Sequence, residues 1–383
     1  MSEIEKKELR IIADNIKRFR VYKKLSQEQL AKEAGVELSG VVALENGDEE
    51  NPYGTNLLRL ASFFGVTLSD ISDEPRKLSS VRFRAKKSVD ALKRSELVET
   101  CGRWLDNYCL VEEWLNEKTT FDAKAFGSVQ NGNIPAFAAN VREKLELQPN
   151  APIQNLGDAL QKSGAKYWFC NLFDSLPVFG LAISESPQAT AIVINNCAQS
   201  IERRIFSTIH EFAHLLLHSE SFSGDVLEED KREEDEANLF ASHFLMPNDA
   251  FLKCWDDTFG ESFVDRVLFV KRYFRVSYLT VLNRFSENSS KPLRGYISGF
   301  RAAYAKKYRV ALAGNLEPEP LSEFDAPPDR FRALVYKAVT LGEMSMRRGS
   351  EFLNVPYYDF YNSLPEEYFL ETVKENGKAV VKA

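Results

Sequence analysis

The sequence predicts a mostly α protein of α+β class: a helical N-terminal domain, a central domain built round a small sheet, and a helical C-terminal region. Three observations carry this expectation. Apolar residues recur at helical spacing between glycine-containing turns over residues 8–72. Three β-branched or aromatic runs of strand length follow one another at 167–169, 178–183 and 190–194. All four histidines of the 383 residues fall between His210 and His243.

A chain of this length is expected to form two or three domains, and 44% apolar residues supply their cores. A net charge of −7 and an isoelectric point near 5.5 exclude a protein that coats nucleic acid indiscriminately. Any DNA contact has to come from a local patch. The first residues, Met1 to Lys7, lack the apolar core of a signal peptide, and no apolar run is long enough to span a bilayer. The five cysteines (Cys101, Cys109, Cys170, Cys197 and Cys254) are odd in number and never spaced C-x-x-C. Reduced thiols fit that pattern better than a disulfide framework. The expectation is a soluble cytoplasmic protein.

In the first module, Ile11, Ile12, Ile16 and Phe19 mark one helix. Ser26 is placed to cap the next, Gln27-Glu28-Gln29-Leu30-Ala31, and Ala34-Gly35-Val36 makes a tight turn before a third helix at 38–45. Helix, glycine turn, helix is the order of a helix-turn-helix. The run from Leu25 to Val36, Leu44-Glu45-Asn46-Gly47, and Leu57-Leu58-Arg59-Leu60-Ala61 with Gly65, Val66 and Leu68 resembles the Xre/Cro repressor family across residues 8–72. The resemblance implies a five-helix domain that binds double-stranded DNA. Gln27, Ser39 and Val41 are then the candidates at the groove, and Lys17 and Arg20 the candidates on the backbone. The residues themselves are less favourable. Positions 37–42 offer no Arg, Lys, Gln or Asn to read a base edge, and Glu45, Asp48, Glu49 and Glu50 bring acid close to phosphates. A helical module that grips a protein partner or forms a homodimer is the alternative.

Residues 73–80 are polar, hold Pro75 and read as a linker. The basic run Val81-Arg82-Phe83-Arg84-Ala85-Lys86-Lys87 reads as the start of a helix continuing through Leu110, Val111 and Trp114, which makes 73–136 a helical linker region. Its charges read as a solvated face.

The central domain is expected over 137–290, with helices near 138–145 and 153–160 ahead of the three strands. Its chemistry lies in His210-Glu211-Phe212-Ala213-His214, the pattern H-E-x-x-H inside an apolar, helix-compatible run that starts near Ser200. One helical turn separates the two histidines, so both imidazoles leave the same face and can hold one Zn²⁺. Glu211 lies beside that face, where it can take a proton from water. A catalytic zinc has three protein ligands and an open position, so a third ligand is required. The acidic stretch 225–236, ahead of a helix at 237–245, is the place to seek it. At about 100° per residue, Glu233 and Glu234 each lie within roughly 60° of the centre of that helix's apolar face, and Glu236 about 100° away. Phase therefore leaves Glu233 and Glu234 open. His218 reads as a residue supporting the ligands and His243 as a packing or exposed residue. Cys197, shortly before the histidine helix, could place an inhibitory thiolate on the open metal position; a small buried residue is the other reading.

Residues 291–383 read as a helical module. A helix at 331–341, a turn at 342–345 and a second helix to 353 precede Tyr357, Tyr358, Phe360 and Tyr361. Substrate or partner binding and an inert cap are equal readings, and 371–383 read as a frayed end.

Ile192-Val193-Ile194-Asn195, Arg203, Phe206, the segment from His210 to His218, Glu234, Ala237-Asn238, Phe240-Ala241 and Leu245-Met246-Pro247 together resemble the ImmA/IrrE family of metallopeptidases. Phe274-Arg275-Val276-Ser277 and Leu282-Asn283-Arg284-Phe285 are similar to that family's closing helices. The resemblance implies a zincin-like α+β fold, Zn²⁺ on His210, His214 and Glu234, and Glu211 as general base. Nineteen residues separate His214 from Glu234, a spacing similar to that of zincins whose third ligand is glutamate. It also implies cleavage of a protein, often a DNA-binding repressor made by a neighbouring gene. The function expected is a zinc endopeptidase with an Xre-type DNA-binding domain, cleaving a partner regulator to control a stress, mobile-element or defence operon. Two other readings fit the same residues. One is a DNA-binding transcriptional regulator whose peptidase fold serves as a sensor or partner surface. The other is one component of a toxin–antitoxin pair.

Overall fold

The computed structural model describes residues 3–23, 25–48, 54–64, 66, 68–72, 78–85, 91–171, 178–197, 199–222, 230–289, 292–314, 316–322 and 326–364. The protein is mostly helical with one small mixed sheet. It divides into two compact units, one formed by Met1–Lys77 with Val335–Ala383 and the other by Leu78–Leu334. No described helix is long and apolar enough to cross a membrane.

The first unit opens with α1 (Glu3–Tyr22), α2 (Gln27–Ala34), α3 (Leu38–Asn46), α4 (Thr55–Phe64) and α5 (Leu68–Ser72). The turn between α2 and α3 follows from its sequence. Ser26 Oγ accepts from the Gln29 amide while the Gln29 side chain accepts from the Ser26 amide, a reciprocal cap that fixes the start of α2. Gly35 ends the helix at φ +66°, where any side chain would be strained. Ile12, Ile16, Leu30, Val41, Leu44, Leu57 and Leu60 are buried in the common core. Arg20 donates to both carboxylate oxygens of Glu45, at 2.6 and 2.9 Å, and so ties α1 to α3.

The second unit contains β1 (Val81–Ala85), α6 (Ala91–Trp114), α7 (Ile134–Lys144), α8 (Leu156–Ser163), β2 (Lys166–Cys170), β3 (Val178–Ser186) and β4 (Ala189–Asn195). It continues with α9 (Ile201–Leu217), α10 (Lys231–Leu245), α11 (Asn248–Asp257), α12 (Phe263–Phe274), α13 (Tyr278–Glu287) and α14 (Leu293–Tyr308). The three strands expected from the sequence are β2, β3 and β4. The helix expected from Val81 begins only at Ala91, and Val81–Ala85 is instead a strand paired antiparallel to β3. The physical reason is alternation: Val81 and Arg82 fall on opposite faces, and the segment pairs from Val81 opposite Ile183 to Arg84 opposite Gly180. Several expectations concern residues outside those described: linker positions 73–77, Glu49, Glu50, Gly65, Lys86, Lys87, the acidic positions 225–229, and 371–383.

The sheet order is β1-β3-β4-β2, with β2 and β4 parallel and the other pairs antiparallel. Helix α9 packs on β3 and β4, and α10 packs on α9 and α7. Ile205, Ile209 and Phe212 of α9, Phe240 and Phe244 of α10, and Ala182, Ile192 and Ile194 of the sheet share one core. That core runs past residue 290 through Phe300, Tyr304 and Leu312. The chain then forms α15 (Arg330–Thr340), α16 (Met346–Phe352) and α17 (Tyr357–Ser363), the helix-turn-helix order expected there.

A segment after α14 is strapped to the core by buried charge. Lys271 of α12 donates to Glu202 of α9 at 2.8 Å and to the Glu319 carbonyl at 2.9 Å, and its Nζ lies 3.5 Å from the Glu317 carboxylate. Burial pushes the Glu317 carboxyl up from 4.5 to about 7, against the pull of Lys271. A carboxyl raised in the folded state contributes stability that is fully present below its ordinary value and lost as pH rises through the folded one. Between pH 4.5 and 7, wild-type stability is therefore expected to fall relative to Glu317→Gln, by at most about 1.4 kcal/mol per pH unit. Urea denaturation over that range reads the difference, and parallel pH profiles for the two proteins contradict it.

Candidate metal centre

The site is carried by two helices whose positions follow from their apolar residues. Ser200 Oγ caps α9, and Ile201, Ile205, Ile209, Phe212 and Leu216 bury one side of it. The α10 helix is held by aromatic contacts: Phe244 against Phe212 at 6.2 Å and Phe240 against Phe137 at 5.9 Å between ring centroids. At the far end of α10, buried Arg142 donates to the Phe244 carbonyl at 2.6 Å. These contacts set how α10 is turned and bring its first turn, with Glu233 and Glu234 together, to α9.

His210 and Glu211 are completely buried and His214 is 1% exposed. His210 Nε2 and His214 Nε2 lie 3.0 Å apart, and each is 3.1 Å from an oxygen of Glu234. Among the described residues, His210, His214 and Glu234 form the group of potential ligands able to share one ion, their ligand atoms all within 4.8 Å of one another. Glu233, Glu236, His218, His243 and Cys197 are not in it. Glu211 lies under β3 at Gly180. A Cβ at Gly180 would come 2.9 Å from Ile194 Cδ1, 3.0 Å from the Val193 carbonyl and 3.5 Å from Glu211 Cγ. Glycine avoids the close approaches to β4, and the contact to Glu211 is an ordinary one.

The two imidazoles are oriented from behind. Asn238 Oδ1 accepts from His210 Nδ1 at 3.0 Å, which directs the bare Nε2 of a neutral ring toward Glu234. His214 Nδ1 meets His218 Nδ1 at 2.9 Å, and His218 Nε2 meets Glu236 at 3.0 Å. With His214 Nδ1 and His218 Nε2 as donors, this chain leaves His214 Nε2 bare as well. Burial draws His214 down to about 3 despite its contact with Glu234. Burial pushes Glu234 the other way, yet the two imidazoles win and hold its carboxyl well below the usual carboxylate range. A metal on these atoms needs neutral imidazoles and an ionised carboxylate. Each imidazole Nε2 lies 3.1 Å from the carboxylate, and the spacing of the three ligand atoms suits zinc–ligand bonds of about 2.0–2.2 Å. The donor set thus fits a zinc ion.

Arg82 of β1 donates from Nη2 to Glu234 at 3.2 Å and from Nη1 to Glu233. Sequence reading missed this contact because Arg82 was assigned to a helix. The two-residue alternation of Val81-Arg82-Phe83-Arg84 was the available signal. His243 lies elsewhere, accepting from Arg284 at 2.7 Å, as a packing residue does. Cys197 lies three residues before the α9 cap, and its amide donates to Asn195 Oδ1 at 2.9 Å.

In the N-terminal unit Lys17 and Ser39 are exposed. Val41 is a correction: it is fully buried in the core and offers nothing to a DNA groove. Arg20 is committed to Glu45, and Gln27 Nε2 also donates to Glu45 at 2.7 Å. Glu45 therefore acts as an internal clamp, and both residues expected at DNA are tied to it.

Residues 179–286 match the peptidase family model described as the IrrE N-terminal-like domain, and residues 16–71 match a helix-turn-helix model. No curated protein matches the chain. The chain therefore joins a helix-turn-helix domain of DNA-binding type to an IrrE-like peptidase domain. Peptidases of this family are generally zinc-dependent.

A metal shared by these atoms is expected to bind about 10–100-fold more weakly in Asn238→Leu and in His218→Ala, because each frees one imidazole to turn. Competition with a chromogenic chelator measures this. Wild-type affinity in both variants would contradict the orienting role.

Proposed function

We propose that the protein is a zinc-dependent endopeptidase that cleaves a partner regulatory protein, and that His210, His214 and Glu234 hold the zinc while Glu211 is the general base. The observation that carries this reading is the convergence of two imidazole nitrogens and one carboxylate at 3.0–3.1 Å, with Glu211 buried on the same helix. A bound zinc supplies Lewis acidity, lowering the pKa of a coordinated water to about 7.

The chain's own residues do the rest. Glu211 accepts a proton from the attacking water and delivers it to the leaving amide nitrogen. Its burial beneath β3 keeps the carboxylate out of bulk water, where a proton would be lost to solvent. Asn238 and the His218–Glu236 pair keep both imidazoles turned to the site through the cycle.

The helix-turn-helix match supports double-stranded DNA as a second partner, with the exposed Lys17 and Ser39 as the contacts retained from the sequence. A fusion of these two domain types suits a cytoplasmic regulator that removes a repressor, so a small helix-turn-helix protein encoded nearby is the substrate to test first. Control of a stress, mobile-element or defence operon, including a toxin–antitoxin pair, belongs to the same reading.

Co-expression with that neighbour tests the reading. Mass spectrometry is expected to find the neighbour cut by the wild type and intact beside Glu211→Gln, with the cleavage rate lowered at least about 100-fold. Zinc content should be equal in the two proteins. Equal cleavage by both would remove Glu211 from the mechanism.

A further inference from the structure

We infer that Arg82 is the positioning residue that assigns Glu234, rather than its neighbour Glu233, to the metal. The inference rests on the proposed zinc site and deepens it. Glu233 and Glu234 open α10 side by side, and helical phase places both near its inner face. What distinguishes them is a side chain from another element. Arg82 stands on β1 opposite Ala182, and its guanidinium spans the two carboxylates, Nη1 donating to Glu233 Oε2 and Nη2 to Glu234 Oε1 at 3.2 Å.

Glu233 is occupied at both oxygens. Ser221 Oγ donates to its Oε1 at 2.6 Å while Arg82 holds its Oε2, so neither oxygen turns to the imidazoles. Glu234 gives up only part of one oxygen to Arg82, and its carboxylate faces both His210 Nε2 and His214 Nε2 at 3.1 Å. A guanidinium suits this task because its planar fork reaches two acceptors in fixed geometry, which an ammonium does not. The charges also balance: Arg82 and Glu233 neutralise each other, so the fork steadies the ligand without adding net positive charge beside a cation. Arg82 lies outside the matched residues 179–286, so a strand upstream of that match completes the site.

The experiment uses the full chain and the metals alone. Arg82→Met combined with Glu233→Gln removes the pair without changing net charge. Arg82→Lys keeps the charge and loses the fork. Glu234→Ala is the ligand control. Zinc affinity comes from chelator competition, the coordination geometry from the visible spectrum of the cobalt(II) form, and thermal unfolding of the metal-free proteins separates loss of the site from loss of the fold. The double variant is expected to bind zinc about 10–100-fold more weakly and to shift the cobalt spectrum, with Arg82→Lys falling between it and wild type. Should the double variant not fold, the lysine variant decides alone. Wild-type affinity and spectrum in the Arg82 variants, with zinc lost in Glu234→Ala, overturn the inference and leave the metal site standing. Undiminished zinc binding by Glu234→Ala overturns the ligand assignment itself.

Discussion

Burying two imidazoles and a glutamate side chain in the middle of one helix removes them from water, and the surrounding structure has to replace what water supplied. His210, Glu211 and His214 sit in α9 among Ile205, Ile209, Phe212 and Leu216, so the same turn of helix serves both the core and the site. The replacement comes in layers. Glu234 faces the two imidazoles, Asn238 and His218 hold their outer nitrogens, and Glu236 and Arg82 hold the outermost groups. Each layer requires an element in a particular place: α10 for the acids and Asn238, the end of α9 for His218, and β1 for Arg82. β3 passes over Glu211 at Gly180, where the missing side chain avoids close approaches to Ile194 and Val193 of β4. The fold of this unit is largely the set of packings that keep those elements around one buried polar cluster.

Much of this was legible in the sequence, and for identifiable reasons. The H-E-x-x-H spacing and the apolar period of α9 fix which side chains share a face, because helix geometry leaves little freedom over one turn. The three strands showed as β-branched runs, and Ser26 and Gly35 announced the turn between α2 and α3 through local backbone chemistry. What stayed hidden depends on contacts between distant residues. Phase alone could not separate Glu233 from Glu234, since the choice is made across about 150 positions of sequence by Arg82. Arg82 itself was obscured because two arginines and two lysines in seven residues look like a solvated helix, whereas pairing with β3 makes the segment a strand. Val41 was misplaced for a related reason: a family pattern indicates that a helix faces DNA, but packing decides which of its residues are exposed.

The two units differ in how strongly their residues support a chemical role. In the unit that holds the IrrE-like domain, the orientation and spacing of the cluster agree with metal binding. In the N-terminal unit, Arg20 and Gln27 are drawn inward to Glu45, a bidentate clamp that stabilises the helices and leaves fewer groups for phosphates. Of the candidate DNA contacts in the sequence, Lys17 and Ser39 are exposed.

The zinc ion proposed between α9 and α10 can be located directly. Diffraction from zinc-loaded crystals, recorded on either side of the zinc absorption edge, locates the ion without reference to activity. One anomalous peak is expected about 2.0–2.2 Å from His210 Nε2, His214 Nε2 and the Glu234 carboxylate. A peak held by Glu233 or Glu236, or no peak at these histidines, would contradict it.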